Sequence, residues 1–263
     1  MKRNLTFFVA LIMLITIGCS VGLAAENGSP TQQKKLSAGT EGTMYPWTYV
    51  EDGKVVGLEA DIMAEIGKRT GYEIELKPMD WSGLFGNFDA KRIDTVANIV
   101  TITDERKQKY FFTQPYLYNP MVLATKSTSD IKSLEDINGR SIVIEVGSSD
   151  EIVLKELESK MGVKLKPVYY EGISVTDVAN GRVDLWIGGE PSVNTMIEEG
   201  GYDLRIIGRI GSYQEYGYPF LKNEKGQKLC TAFDNAISEM KKDGTLKNIS
   251  EKWLKLNITE KPE

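Results

Sequence analysis

The stretch 99-IVTITDERK-107 sets the hydroxyls of Thr101 and Thr103 beside the guanidinium of Arg106, where an apolar run gives way to charge. Thr103 suits a helix N-cap, and Asp104 and Glu105 in the next turn suit the positive end of a helix dipole. Free backbone N–H groups at such a start, a hydroxyl and the planar fork of an arginine together fit a carboxylate, which accepts two parallel hydrogen bonds. The same residues also allow Arg106 simply to pair with a neighbouring acid. A second group, 147-GSSD-150, puts Ser148 and Ser149 at another helix start, as an ordinary turn and cap or as the other half of an anion grip.

Aromatic residues lie near both groups in the chain order of an α/β fold. Trp47, in the loop with Met44 and Tyr45, and Trp81, after 77-KPMD-80, are each either a stacking wall for a small ligand or a core residue. Trp186, inside the apolar run LWI, reads as core. The chain has no histidine, which removes Ser-His-Asp and Cys-His nucleophiles and the commonest transition-metal ligand. No metal or other cofactor is expected.

These residues need elements to hold them. With 263 residues and 41% apolar content, the chain can bury the core of one large or two medium domains. Strands and helices alternate from residue 36 onward, the pattern of an α/β architecture with largely parallel sheets, in which ligands sit at the carboxyl ends of strands. A strand over 36–40 precedes a helix over 58–71 with Leu58, Ile62 and Ile66 on one face and Gly71 as its stop, then a strand over 72–76. The segment 91-KRIDTVANIV-100 is echoed by 181-GRVDLWIGG-189, each leading through Arg, a β-branched residue and Asp into an apolar strand. The echo indicates two similar lobes, unless short α/β segments merely coincide. Helices around 228–241 and 245–256 follow the second lobe and can return to the first, so that the chain crosses twice and leaves a cleft closed by hinge motion.

The ordered motifs GTEGTMYPWTYVEDGKVVGLEADI (39–62), KPMDWSGLF (77–85), RIDTVANIVTITDERK (92–107), FTQPY (112–116), SLEDINGRSIVIEVGSS (133–149), NGRVDLWIGGEP (180–191) and DGTLKNISEKWL (243–254) resemble the extracytoplasmic amino-acid-binding proteins of ABC importers. The polar-amino-acid group, with its glutamine- and histidine-binding members, is the nearest in kind. The resemblance implies a type II periplasmic-binding-protein fold of two α/β lobes, 36–120 with 213–263 and 121–212, joined by a double hinge crossover. It implies binding of an amino acid or related small carboxylate and delivery to an inner-membrane ABC permease by a monomer, without enzymatic activity.

Position by position, the resemblance places Arg106 on the ligand carboxylate with Thr101 beside it, and Ile99 where a backbone carbonyl accepts from the ammonium. Ser148 and Ser149 complete the carboxylate site from the second lobe. Met44 replaces one aromatic wall and Trp81 keeps the other. Glu41 matches an acidic position that in some members meets a ligand side chain. Gly189 stands where the family usually has an ammonium-binding aspartate, so either the ligand is an analogue lacking a normal α-ammonium or the acid has moved, with Glu190 and Glu145 as candidate replacements. Two alternatives remain open: a dehydratase of the cyclohexadienyl type using a cleft glutamate as acid, and a ligand-sensing partner of a receptor.

The N-terminus sets the expected compartment. Lys2 and Arg3 precede the apolar run 5-LTFFVALIMLITIG-18 and small residues follow, as in a secretory signal peptide over 1–25, with a mobile segment over 26–35. An uncleaved anchor is the bland alternative, and Gly18-Cys19 raises lipidation at Cys19. Export to the periplasm would remove Lys2 and Arg3 and shift the net charge from -5 to -7. An acidic exported domain is not a nucleic-acid binder on charge grounds. Cys230 would then be the only thiol certain to remain, and its helical neighbours make it a small buried side chain.

Overall fold

The computed structural model describes residues 34–261 except 172 and 173, so the expected signal peptide and most of the mobile segment lie outside the described residues. The chain runs through β1 (Lys34–Thr40), β2 (Thr43–Met44), β3 (Thr48–Glu51), β4 (Lys54–Val56), α1 (Leu58–Thr70), β5 (Tyr72–Pro78), α2 (Trp81–Asp89), β6 (Thr95–Val96), α3 (Asp104–Lys109) and β7 (Tyr110–Phe112). There follow β8 (Leu117–Lys126), β9 (Ser141–Glu145), α4 (Asp150–Met161), β10 (Lys166–Tyr170), α5 (Val175–Ala179), β11 (Leu185–Gly189), α6 (Glu190–Glu198) and β12 (Leu204–Tyr216). Finally come β13 (Pro219–Leu221), α7 (Glu224–Lys242) and α8 (Thr245–Leu254).

Two sheets organise these elements into two lobes. The first has the order β5-β1-β6, all parallel, and the second the order β10-β9-β11-β8-β12, in which β8 and β12 run antiparallel to their neighbours. Helix α1 forms where the sequence spaces its apolar residues on one stripe, burying Leu58, Ile62, Met63 and Ile66 against the first sheet. Gly71 ends it in a left-handed conformation (φ 75°), donating its N–H to Gly67 O, a geometry that costs glycine no Cβ clash. The last helices pack back on the first lobe: Leu229, Phe233, Ile237 and Met240 of α7 and Leu246 and Leu254 of α8 join the core that contains α1. Cys230 lies buried in that core, and burial pushes its thiol up to about 12.

The echo between residues 94 and 184 has a structural counterpart. Asp94 accepts from the Ser37 backbone N–H (2.9 Å) and hydroxyl (3.2 Å), and Asp184 accepts from the Ser141 backbone N–H (2.8 Å) and hydroxyl (2.6 Å). In each lobe the aspartate thus ties the segment leading into one strand to a serine on its neighbour, β1 or β9.

Two long strands carry the chain between the lobes. Pairing of β8 with β12 runs from Leu117↔Tyr216 through Asn119↔Gln214 to Lys126↔Leu204, with irregularities between Ile206 and Gly208 and between Arg209 and Tyr213. The segment after β6 is pinned to the end of this ribbon by Ile102 N–H to Glu215 O (2.8 Å) and Gly217 N–H to Val100 O (3.0 Å). Buried Glu59 fixes it from behind, accepting from the Ile99 N–H (2.9 Å) and from the hydroxyls of Tyr116 and Tyr218. Among the described residues no helix is long and apolar enough to cross a membrane.

Candidate functional site

Between the lobes lies a cleft of about 650 Å³, its open mouth included. From the first lobe it is lined by Glu41, Met44, Trp81, Ile99, Thr101 and Arg106, and from the second by Glu145, Ser148, Ser149 and Gly189, all anticipated from sequence. Neither Trp47 nor Glu190 lines this wall. Trp47 is fully buried, donating Nε1–H to Ser192 Oγ at 2.6 Å and packing edge-on to Tyr216, so it serves the core and the contact between lobes. Glu190 begins α6 and pairs with Arg209 at 2.8 Å, because the turn from β11 into the helix directs its carboxylate to β12. Trp186 is buried as expected and also borders the cleft.

Thr103 caps α3 through its hydroxyl, which accepts from the Arg106 N–H at 3.1 Å. This turn aims Arg106 into the cleft, where Nη1 donates to Thr101 O (3.0 Å) and Nη2 to Gly147 O (3.3 Å) of the opposite lobe. The guanidinium lies 5.0 Å from the Phe85 ring centre and 5.7 Å from that of Trp81, within cation–π range. Among the described residues Arg106 enters no ion pair within 4.0 Å. Burial lowers its pKa, but arginine remains charged.

A polar chain runs from this point along the crossing strands. The hydroxyls of Thr101 and Ser149 meet at 2.9 Å across the lobes. Gln214 donates Nε2–H to Ser149 Oγ (2.8 Å) and accepts at Oε1 from Thr101 (3.2 Å) and from Tyr216 (3.1 Å). Tyr216 in turn accepts from Asn119 Nδ2 (2.7 Å). Asn98, Asn119, Gln214 and Tyr216 all line the cleft and were not anticipated. The last three converge only through the β8–β12 register, which leaves no motif in the sequence.

The cleft also gathers carboxylates. Burial raises Glu41, opposed by the hydrogen bond from Asn98 Nδ2 (3.0 Å). Burial, then Glu41, Asp150 and Glu171, push Glu145 to about 7. Burial lifts Asp150 to about 6, although Ser148 works against it. Among the described residues no cluster of side chains suits a metal ion.

Comparison with known proteins agrees with this geometry. Residues 36–256 match the family described as bacterial extracellular solute-binding proteins, family 3. The chain is 31% identical to the "Probable amino-acid-binding protein YxeM" of Bacillus subtilis (strain 168), over 98% of this chain and 97% of that protein. It is 32% identical to the L-cystine-binding protein TcyJ of Escherichia coli (strain K12), over 95% of this chain and 94% of the relative. Among solved structures it is similar to an ancestral arginine-binding protein bound to arginine, with a TM-score of 0.72 and 32% identity over 83% of this chain and 97% of the other. These relatives are named as binding proteins, which leaves the dehydratase alternative without support.

Proposed function

Because the chain belongs to the bacterial extracellular solute-binding proteins of family 3, we propose that it captures an amino acid or related small carboxylate outside the cytoplasm and delivers it to an ABC permease. The observation that carries this reading is Arg106, half-buried in the cleft without an acidic partner among the described residues, beside the paired hydroxyls of Thr101 and Ser149. A carboxylate there gains charge-assisted, geometrically matched hydrogen bonds. The three raised carboxylates of Glu41, Glu145 and Asp150 favour a ligand that also brings positive or polar groups over an acidic one.

In this reading residues 36–120 with 213–263 move as one lobe and 121–212 as the other, hinged where β8 and β12 cross. The protein acts as a monomer in the periplasm, released from a signal peptide over 1–25 or held by lipid at Cys19.

Thermal-shift screening of residues 26–263 against amino acids and related carboxylates tests the function. Stabilisation by at least one is expected, and Arg106→Ala should weaken that ligand by about 100-fold or more, since charged hydrogen bonds are lost. Stabilisation by none, or unchanged affinity in the variant, would sink the reading.

A further inference from the structure

Two buried side-chain polar atoms among the described residues lack a hydrogen-bond partner: Asn119 Oδ1 and Glu145 Oε1. Both residues line the same cleft, and Asn119 is only 1% exposed. A buried acceptor left unpaired bears its full desolvation cost, so two on one cavity wall mark where an outside donor belongs.

The surroundings say which end of the Asn119 amide is free. Its Nδ2 donates to the Tyr216 hydroxyl at 2.7 Å, and that hydroxyl donates to Gln214 Oε1 at 3.1 Å. With the N–H end engaged in this chain, the carbonyl oxygen is left for something else. Gly189 makes the arrangement sterically feasible, since a Cβ at position 189 would lie 1.9 Å from Asn119 Nδ2 and 2.8 Å from Oδ1. Any side chain there would displace the amide, so Gly189 and Asn119 act as a complementary pair on adjacent strands. Among the described residues that line the cleft, the acids Glu41, Glu145 and Asp150 outnumber the single cation, Arg106.

We propose that Asn119 Oδ1 and the Glu145 carboxylate together seat a ligand ammonium group, with Gly189 keeping the space that Asn119 occupies. An ammonium offers three donors and a full positive charge, which matches two unmet acceptors, one of them a carboxylate. The inference rests on the amino-acid reading above and adds to it the residues that hold the amine.

Titration calorimetry on the purified protein separates the two. The standard amino acids and cystine are compared with counterparts lacking the α-amino group, such as guanidinovalerate for arginine, glutaramate for glutamine and dithiodipropionate for cystine. The wild type should bind its best amino acid more tightly than the amine-free counterpart. Asn119→Leu should weaken the amino acid about 10- to 100-fold, a clearly larger loss than it causes for the counterpart. Asn119→Asp keeps the shape and the acceptor, and should hold or tighten the amino acid while weakening the counterpart; it decides the matter if the leucine variant does not fold. Equal effects of either folded variant on both ligands, or equal binding of both by the wild type, would overturn the ammonium seat while leaving the amino-acid reading intact. Failure of every amino acid to bind would remove both.

Discussion

At the scale of single residues, the cleft is a place where burial works against ionisation. Glu145 has an ordinary value of 4.5 and is pushed to about 7 in the fold by burial and by Glu41, Asp150 and Glu171. Between those values the unfolded chain gives up its proton while the folded chain keeps it. The contribution is therefore fully present below pH 4.5 and lost as pH rises through 7, a swing of about 3 kcal/mol for a 9% exposed side chain. Asp150, lifted to about 6, has the same sign over a lower window. The ligand-free protein should melt higher at pH 5 than at pH 8, and Glu145→Gln should flatten much of that difference in thermal unfolding scans; an unchanged profile would refute the assignment. Much of this chemistry was readable in the sequence. Arg106, Thr101 and Ser149 announce themselves because helix starts concentrate hydroxyls and charge in short motifs. Asn119 does not, because its role depends on Gly189 and Tyr216, which are 70 and 97 positions away in the numbering and adjacent only through strand pairing.

Secondary-structure elements show a different balance. Periodicity located α1, α7 and α8, and Gly71 marked the end of α1, since an apolar stripe and a left-handed cap are local properties. The apolar strand anticipated after Asp94 is only Thr95–Val96, because the residues after it bend away to meet Glu59 and the crossing ribbon. No local propensity encodes a buried carboxylate from another element reaching the Ile99 N–H. The Asp94 and Asp184 braces can be tested directly. Asp184→Ala leaves the Ser141 N–H without its 2.8 Å partner and should cost about 1–3 kcal/mol in urea unfolding. Asp184→Asn, which retains an acceptor, should recover part of the loss; equal losses would mean that the brace acts through charge alone.

The whole molecule is held across the cleft by a small number of polar contacts. Trp47 Nε1–H reaches Ser192 at 2.6 Å, the Tyr45 hydroxyl reaches Glu199 at 2.6 Å, and Thr101 and Arg106 reach Ser149 and Gly147. Such contacts favour the closed arrangement and so contribute to apparent affinity, which falls with the fraction of closed protein. Replacing Ser192 with Ala and Tyr45 with Phe leaves the buried Trp47 indole in place and removes two bonds. Affinity should fall by roughly 5- to 150-fold, at about 0.5–1.5 kcal/mol for each of the two hydrogen bonds, with a larger radius of gyration in solution scattering. An unchanged radius and affinity would show that the contacts are incidental.

The core that joins α1 to α7 and α8 has a bearing on how the protein is made. Its buried residues come from Leu36 to Leu117 and again from Tyr216 to Ile258, with the entire second lobe interposed. The cores of that second lobe draw on one uninterrupted stretch, from Met121 to Ile210. A chain delivered from its N-terminus therefore offers the second lobe all its core partners first, while the earlier-arriving half of the first lobe waits for its C-terminal helices. Until they arrive, Leu58, Ile62 and Ile66 have incomplete cover, so in this interval a newly made copy is exposed to aggregation and proteolysis.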